Sequence, residues 1–368
     1  MEQAELVVQS QTADLPRKPR KLVHRAKALP WQRVRHGVQA AFLLLNAWIA
    51  IQFYLWVRYF EQGGAGLYLP RPAGVEGWLP IAGFMNFKYL LMTGRVPAVH
   101  PAAMFLFLAF VLTSLLLKKA FCSWLCPVGT FSEFLWKLGR HFLGRNLHLP
   151  RWVDLPLRSL KYILLGFFVF VIGTMSAEAI KSFMQTPYGL LADVKMLNFF
   201  RYIGSTAVIV IAVLVFASVL VKNFWCRYLC PYGGLMGLVS LLSPVKIRRD
   251  AEACVNCGKC ANACPASLPV DHLVQIHSVE CTGCVECVAV CQVQGALQFA
   301  LPPRPAAHLS SRWSRRVLRP AAVAGIVAVL FLGTVLFARI TGHWHTNLPR
   351  AMYMDLVPEA NQFGHAGF

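Results

Sequence analysis

Residues 254–291 contain two cysteine runs of identical spacing, Cys254-Val-Asn-Cys257-Gly-Lys-Cys260-Ala-Asn-Ala-Cys264 and Cys281-Thr-Gly-Cys284-Val-Glu-Cys287-Val-Ala-Val-Cys291. This C-x2-C-x2-C-x3-C spacing follows the ligand run of bacterial two-cluster ferredoxins, in which the fourth cysteine of each run ligates the other cluster. We therefore predict two [4Fe–4S] clusters with crossed ligand sets. The first set is Cys254, Cys257, Cys260 and Cys291, and the second is Cys281, Cys284, Cys287 and Cys264.

Two other uses of clustered cysteines fit this spacing less well. Zinc ribbons also contain C-x2-C pairs, but two pairs set well apart supply their four ligands. Here a third and a fourth cysteine follow each pair closely. A disulfide framework belongs to small secreted domains in oxidising compartments. Gln292 replaces the proline that usually follows the second run, and we expect this change to leave ligation intact.

The other four cysteines form two C-x3-C-P pairs inside an internal repeat. Residues 118–129 align without a gap on residues 222–233, and six of the twelve positions are identical. The pairs are Cys122 with Cys126, and Cys226 with Cys230. Because residues four apart share one face of an α-helix, each pair could hold one side of a metal centre. We predict a third redox or metal site, and its occupant stays open between an iron–sulfur cluster, copper, a redox disulfide and simple packing of the thiols.

The composition indicates a membrane protein, since 57% of the residues are hydrophobic and 14% are charged. A transmembrane helix needs about 20 apolar residues. The sequence predicts five spans, at Gly37–Phe60, Pro101–Leu117, Leu160–Ala177, Ile203–Val221 and Leu318–Ala338. Residues 78–92 are also apolar, but Pro80 and Lys88 interrupt them, so we predict a re-entrant or surface segment there.

Basic residues indicate the orientation. With five spans, 27 of the 36 Lys and Arg residues lie on the side that contains the N-terminus. The cation-rich side faces the cytoplasm, so we predict the N-terminus inside, the C-terminus outside, and all clusters on the cytoplasmic side of a bacterial inner membrane. Each repeat then ends a span of the same direction, and a pseudo-two-fold axis along the membrane normal would bring the C-x3-C-P pairs together. A nucleic-acid partner is not expected, because no recognition fold accompanies the charge of +20.

The predicted fold class is an all-α polytopic membrane protein with an inserted α+β two-cluster ferredoxin head. Strand-like segments at Pro244–Arg248 and Ala296–Ala300 flank the cysteine runs. The predicted divisions are a basic arm (1–36), a membrane domain with four spans (37–245), the ferredoxin domain (246–301), a basic linker (302–317), the fifth span (318–338) and an outer-side tail (339–368).

The paired motifs resemble those of a known family. Phe121-Cys-Ser-Trp-Leu-Cys-Pro-Val-Gly129 and Trp225-Cys-Arg-Tyr-Leu-Cys-Pro-Tyr-Gly233, followed by a two-cluster insert, look like the polytopic ferredoxin-type membrane proteins. Members include the quinol-dehydrogenase ferredoxin subunit of periplasmic nitrate reduction, the membrane electron donor of nitrous-oxide reduction and an oxidase-assembly protein implicated in copper reduction. The resemblance covers roughly residues 70–300.

The resemblance implies an electron-transfer subunit that passes single electrons between the quinone pool and a partner reductase or dehydrogenase, rather than a stand-alone enzyme. Two alternatives stay open: a copper-reducing or metal-handling assembly protein that uses the C-x3-C-P cysteines, and a redox sensor. No C-x2-C-H haem motif and no nucleotide fingerprint is present in the sequence.

Polar residues on the first span, namely Gln39, Asn46 and Gln52, are weak candidates for quinone contacts. The predicted outer side carries four histidines, and we interpret them as solvated or interfacial rather than as metal ligands. They are His100, His343, His345 and His365.

Overall fold

A computed structural model describes residues 29–147, 149–302 and 317–364. Most of the predicted basic arm and linker, and His365, lie outside the described residues. The described chain is mostly helical. Its α-helices are α1 (Trp31–Glu61), α2 (Pro80–Thr93), α3 (Pro101–Leu117), α4 (Pro127–Leu143), α5 (Arg151–Thr174), α6 (Ala177–Gln185), α7 (Pro187–Leu190), α8 (Ala192–Arg201), α9 (Ser205–Leu220), α10 (Pro231–Val239), α11 (Lys259–Ala263), α12 (Glu286–Ala289), α13 (Pro320–Ile340) and α14 (Arg350–Leu356).

Three helices are long and apolar enough to cross a membrane, namely α1, α5 and α13. They coincide with the first, third and fifth predicted spans. At most 17% of each apolar stretch is buried within the protein. Apolar helices with such exposed surfaces need lipid around them, because water would not solvate them.

The other two predicted spans are not confirmed. Helix α3 is apolar but has 17 residues, slightly fewer than a full span needs. The fourth predicted span coincides with α9, which has 16 residues and meets the preceding helix α8 at an angle of 84°. The interrupted segment at residues 78–92 forms helix α2, and Gly83 lets it approach α3 closely, since an added Cβ would lie 2.7 Å from the carbonyl oxygen of Ala103. The count of five spans and the orientation stay predictions.

The head contains a small antiparallel sheet of β1 (Lys246–Arg249) and β2 (Leu297–Ala300). The register pairs Lys246 with Ala300 and Arg249 with Leu297. Both strands lie where the sequence predicted strand-like segments, to within two residues. The sheet brings the two ends of the cysteine-rich segment together, and the short helices α11 and α12 lie within the runs.

One hydrophobic core continues from the helices into the head. It includes Phe110 and Trp124 from the helical part, and Ile247 and Phe299 from the sheet. The ring of Trp31 at the start of α1 packs edge-on against Phe299, with centroids 6.2 Å apart. Burial of one such side chain stabilises a fold by about 1.5–3 kcal/mol. The head is therefore packed onto the helices rather than tethered to them.

The C-terminal tail contains α14, a helix that the sequence did not indicate. Tyr353 packs edge-on against Trp56 of α1, with ring centroids 4.9 Å apart, and Val357 is buried in the same cluster. These contacts fix the tail against the first helix.

Candidate metal centres

Two cavities in the head are each lined by four cysteines. We name one set the outward quartet; it is Cys254, Cys257, Cys260 and Cys291. We name the other the inward quartet; it is Cys264, Cys281, Cys284 and Cys287. Each quartet takes three cysteines from one run and the fourth from the other, as the crossed ligand sets require. The two cavities have matching cysteine linings, so two equivalent groups suit them. Ligation itself stays a prediction.

The quartets differ in exposure. Cys257 is exposed and the other outward cysteines are half-buried. In the inward quartet three of the four cysteines are buried, and apolar side chains such as Ile247 and Ile276 line the cavity. A group in the outward cavity would thus be accessible to a soluble partner, whereas one in the inward cavity would be enclosed.

Both runs curve around their cavities through the same pair of left-handed residues. Asn256 and Gly283 precede the second cysteine of their runs, with φ of 51° and 64°. Gly258 and Val285 follow it, with φ of 69° and 52°. Residues other than glycine rarely adopt this conformation. Its use at Asn256 and Val285 indicates that the surrounding structure holds the runs in shape.

The sulfur atoms meet backbone N–H groups, as thiolate ligands of a cluster do. The backbone N–H groups of Gly283 and Glu286 lower the pKa of the Cys281 and Cys284 thiols, because they favour the thiolate. Burial nevertheless raises the pKa of the Cys284 thiol to about 11, because an enclosed thiolate loses its hydration. A cationic iron–sulfur core would compensate that charge, so the residues fit a [4Fe–4S] cluster.

The first cysteine of each C-x3-C-P pair lies in a π-helical turn, Phe121–Leu125 or Trp225–Leu229, and the second cysteine directly follows that turn. The expectation that each pair shares one α-helical face is therefore wrong. In each turn the N–H of the second cysteine bonds to a carbonyl oxygen five residues earlier, which changes the relative direction of the two sulfurs. Pro127 and Pro231 occupy the first turns of α4 and α10, as expected of a residue without an N–H. π-helical turns are frequent at functional sites.

The glycine that ends each motif differs between the copies. A Cβ added at Gly129 would lie 2.1 Å from the carbonyl oxygen of Cys122. At Gly233 the added Cβ would lie 3.5 Å from the sulfur of Cys230, an ordinary contact. The N–H of Gly233 donates to that sulfur at 3.2 Å. Cys230 therefore caps α10, whether or not it also binds a metal.

A third cavity lies between the repeats and the head. Cys122 and Cys226, the first cysteine of each pair, line it together with Cys284 of the inward quartet. The second cysteines, Cys126 and Cys230, occupy the N-caps of α4 and α10. All four act electrostatically on one another. The repeats therefore meet in one place, beside the inward quartet, while metal binding there stays a prediction.

Two hydrogen bonds hold the second cysteine run against the first repeat. The hydroxyl of Ser123 donates to the carbonyl oxygen of Thr282 at 2.6 Å. The indole N–H of Trp124, which is fully buried, donates to the carbonyl oxygen of Gly283 at 3.1 Å. Since Thr282 and Gly283 lie between two inward cysteines, these bonds fix the inward quartet beside the third cavity.

Two families of iron–sulfur proteins match the chain. The family described as a 4Fe-4S binding domain matches residues 99–146 and 203–250, which contain the two repeats. The family described as a 4Fe-4S dicluster domain matches residues 246–292, which form the head.

Relatives along most of the chain agree with these matches. The protein YccM of Escherichia coli (strain K12), whose name describes electron transport, is 49% identical over 347 residues, which are 92% of this chain and 95% of YccM. The chain belongs to the membrane-associated ferredoxin-type electron-transport family. The ferredoxin-type protein NapH of the same strain is 28% identical over 49% of this chain and 62% of its own. Protein NirI of Paracoccus denitrificans (strain Pd 1222) is 24% identical over 71% of this chain and 34% of its own. No solved structure matches the chain.

In this ferredoxin-type chain an ion-pair cluster also fixes the head to the helices, and the sequence did not indicate it. Arg35, completely buried, bonds to both carboxylate oxygens of Glu133 at 2.5 Å. Lys137 bonds to Glu133 and to Glu286 of the head. Burial alone would raise the pKa of the Glu133 carboxyl. The hydrogen bonds and charge of Arg35 outweigh that effect and hold this pKa well below its usual range. A ring nitrogen of His36 and one carboxylate oxygen each from Glu133 and Glu286 lie within 4.8 Å of one another, a spacing that could hold a metal ion. We do not assign a metal there, because Arg35 and Lys137 already neutralise the two carboxylates.

The polar residues on α1 bond to neighbouring segments. Gln39 donates to the carbonyl oxygen of Ser123 at 2.9 Å. Asn46 and Gln52 bond to residues 70–78, at 3.0 and 2.9 Å. These contacts join helices to one another, a common role of polar groups in membranes. They do not single out a quinone site.

The outer-side histidines do not behave alike. His343 and His345 are exposed, as interfacial histidines would be. For His100 that interpretation is wrong, because its side chain is completely buried and lies 3.2 Å from the Glu76 carboxylate. Burial raises the pKa of Glu76, but Arg71 and His100 together lower it to about 2. The sequence did not indicate this network, because folding has to bring His100 to Arg71 and Glu76 from 24 or more positions along the chain.

Proposed function

We propose that this ferredoxin-type protein passes single electrons between the quinone pool and a partner redox protein. When bound, each [4Fe–4S] cluster supplies a one-electron step. The order of the cysteine sites supports the proposal. The first site in the proposed path is the outward quartet, whose Cys257 is exposed to solvent. The second is the enclosed inward quartet. The third is the cavity that Cys122 and Cys226 line together with Cys284 of the inward quartet.

The proposed ligands are the outward quartet for one cluster and the inward quartet for the other. The residues around them position and insulate these groups: apolar side chains keep water from the inward quartet, and Ser123 and Trp124 hold its loop. The proposal includes five spans with the N-terminus inside, and the domain divisions given by the sequence. The uneven distribution of Lys and Arg supports that orientation.

The proposal includes a third iron–sulfur centre at Cys122, Cys126, Cys226 and Cys230. The meeting of the repeats at one cavity supports it, as does the family matched there, which is described as a 4Fe-4S binding domain. Iron and acid-labile sulfide in anaerobically purified protein test the idea. Two clusters would give about eight iron atoms per chain, and three would give about twelve.

Quinone exchange is the test of the function. Purified protein is titrated anaerobically with menaquinol and ubiquinol analogues while paramagnetic resonance follows the clusters. We expect at least one quinol to reduce them, or its quinone to oxidise them. If neither couple exchanges electrons with clusters that dithionite reduces, the proposed function is wrong.

Copper handling is a second candidate, favoured by one observation. Cys122 and Cys226 face the same cavity, and thiolates are the ligands that Cu(I) prefers. In that case the protein would bind copper at these cysteines and reduce Cu(II) faster than it exchanges electrons with quinones. The variant Cys122→Ser with Cys226→Ser would then lose copper and keep both head clusters.

A further inference from the structure

Lys118, at the end of α3, carries its ammonium group in the interior of the protein. Its side chain is completely buried, and its Nζ has no partner among the described residues. An ammonium group taken out of water in this way is strongly unfavourable unless another charge compensates it. Its neighbours should therefore include a negative group when the protein is complete.

The backbone holds Lys118 in a special conformation. Its φ is 63°, in the left-handed region that residues other than glycine rarely adopt. Its N–H donates to the hydroxyl of Ser243 at 2.9 Å, and that hydroxyl bonds in turn to the carbonyl oxygen of Leu116. The link between α10 and β1 thus fixes the residue where the helices meet the head.

The backbone between two inward cysteines packs against Lys118. Gly283, between Cys281 and Cys284, packs so closely that an added Cβ would lie 3.5 Å from the Cβ of Lys118 and 3.1 Å from the carbonyl oxygen of Leu117. A thiolate at Cys281 attracts the ammonium and Lys246 repels it, and His277 also lies within reach of its charge.

The equivalent lysine of the second repeat behaves differently. Lys222 is also buried, but its ammonium donates to the carbonyl oxygens of Asn262 and Cys264, at 3.1 and 3.5 Å. Backbone carbonyl oxygens beside the inward quartet therefore stabilise the charge of Lys222. Within the part of the chain that the structure describes, the Lys118 ammonium has no such bond, and its charge acts through space.

We infer that the Lys118 ammonium is the electrostatic partner of the inward cluster and raises its reduction potential. This inference rests on the proposed function. A cluster with four thiolates is negatively charged, and reduction adds one electron. A one-electron carrier protein delivers it without making or breaking a bond, and a quinol delivers it while losing an O–H proton to water. Enclosure disfavours the added charge, and the fixed cation beside Cys281 offsets that penalty. Lys118 is a positioning residue for charge, not a ligand.

The test is a redox titration of the full chain, followed by paramagnetic resonance, with Lys118→Met and Lys118→Gln. A Cys257→Ser variant identifies the outward signal, because it alters a ligand of that cluster alone. We expect the inward cluster to become at least tenfold harder to reduce, a fall of 59 mV for a one-electron couple, and the outward cluster to stay unchanged. Lys118→Arg, which keeps the charge, should restore most of the potential.

An unchanged inward potential in whichever neutral variant retains its iron would overturn the inference, as would equal shifts at both clusters. Loss of iron from both neutral variants but not from Lys118→Arg would support it, because the charge would then be needed to hold the cluster. Failure of the proposed function is distinguishable: quinones would not exchange electrons with the clusters, yet the inward potential would still depend on Lys118.

Discussion

The cysteine runs that form the outward and inward quartets have similar backbone conformations, but the two quartets differ in their exposure to solvent. Both runs turn through left-handed residues at matching places, Asn256 with Gly283 and Gly258 with Val285. Cys257 nevertheless reaches solvent, whereas the inward quartet is enclosed by the sheet, the first repeat and Lys118. The comparison teaches that the spacing of cysteines shapes a site, while distant parts of the chain decide its solvation and charge.

The largest effect should come from removing a crossed ligand. Cys264→Ala lies in the first run, yet it should abolish the inward cluster, because Cys264 lines the inward cavity. Iron should fall by about four atoms per chain, the content of one cubane, with loss of the inward resonance signal. The matched variant Cys291→Ala should abolish the outward cluster instead. If Cys264→Ala abolished the outward cluster, or Cys291→Ala the inward one, the crossed ligand sets would be wrong.

Gly129→Ala should produce the next largest effect. Its Cβ would collide with the carbonyl oxygen of Cys122 at 2.1 Å, so the turn must shift, and overpacking of this kind typically destabilises by about 1–3 kcal/mol. Thermal unfolding should show the loss, and the inward signal should broaden while the outward signal does not. Gly233→Ala is the matched control, with an ordinary contact of 3.5 Å. Equal effects of the two substitutions would show that the repeats are interchangeable.

Trp124→Phe should act on the inward quartet alone. It keeps a large ring in the core but removes the N–H that bonds to Gly283. A buried carbonyl left without its donor should lower stability by about 1–3 kcal/mol, and the inward resonance should change in shape. Trp152→Phe is a suitable control because that side chain is 79% exposed. An altered outward signal would mean that Trp124 supports the head as a whole.

The smallest effect is expected at the outward quartet. Lys259 is exposed, lines the outward cavity, and also lines a neighbouring cleft with Lys137 and Arg140. Lys259→Glu should slow reduction of the outward cluster by reduced flavodoxin, an acidic carrier protein, by about two- to tenfold at low salt. Stopped-flow absorbance measures the rate. Salt should remove the difference, and exposed Lys181→Glu, far away in the chain, should have no effect. An unchanged rate at low salt would contradict this role.

Much of the site could be predicted locally. The crossed grouping of the eight head cysteines followed from their spacing. The two strands followed from strand-like segments beside the cysteine runs. The positions of Pro127 and Pro231 followed from the missing N–H of proline. The π-helical turns could not be predicted, because their hydrogen bonds reach one residue further than those of an α-helix and leave no mark in a twelve-residue motif. The burial of His100 was also missed, since Arg71 and Glu76 approach it only after folding.

By itself the amino-acid sequence determined how the cysteines are grouped along the chain, and that several segments are too apolar for water. These properties depend on neighbours within a few residues. Tertiary structure alone decided that one quartet is enclosed and the other exposed, that Cys122 and Cys226 share a cavity with Cys284, and that the charge of Lys118 has no hydrogen-bond partner among the described residues. The physical reason is that solvation and electrostatic fields depend on everything within several ångströms, and most of those atoms come from remote parts of the chain.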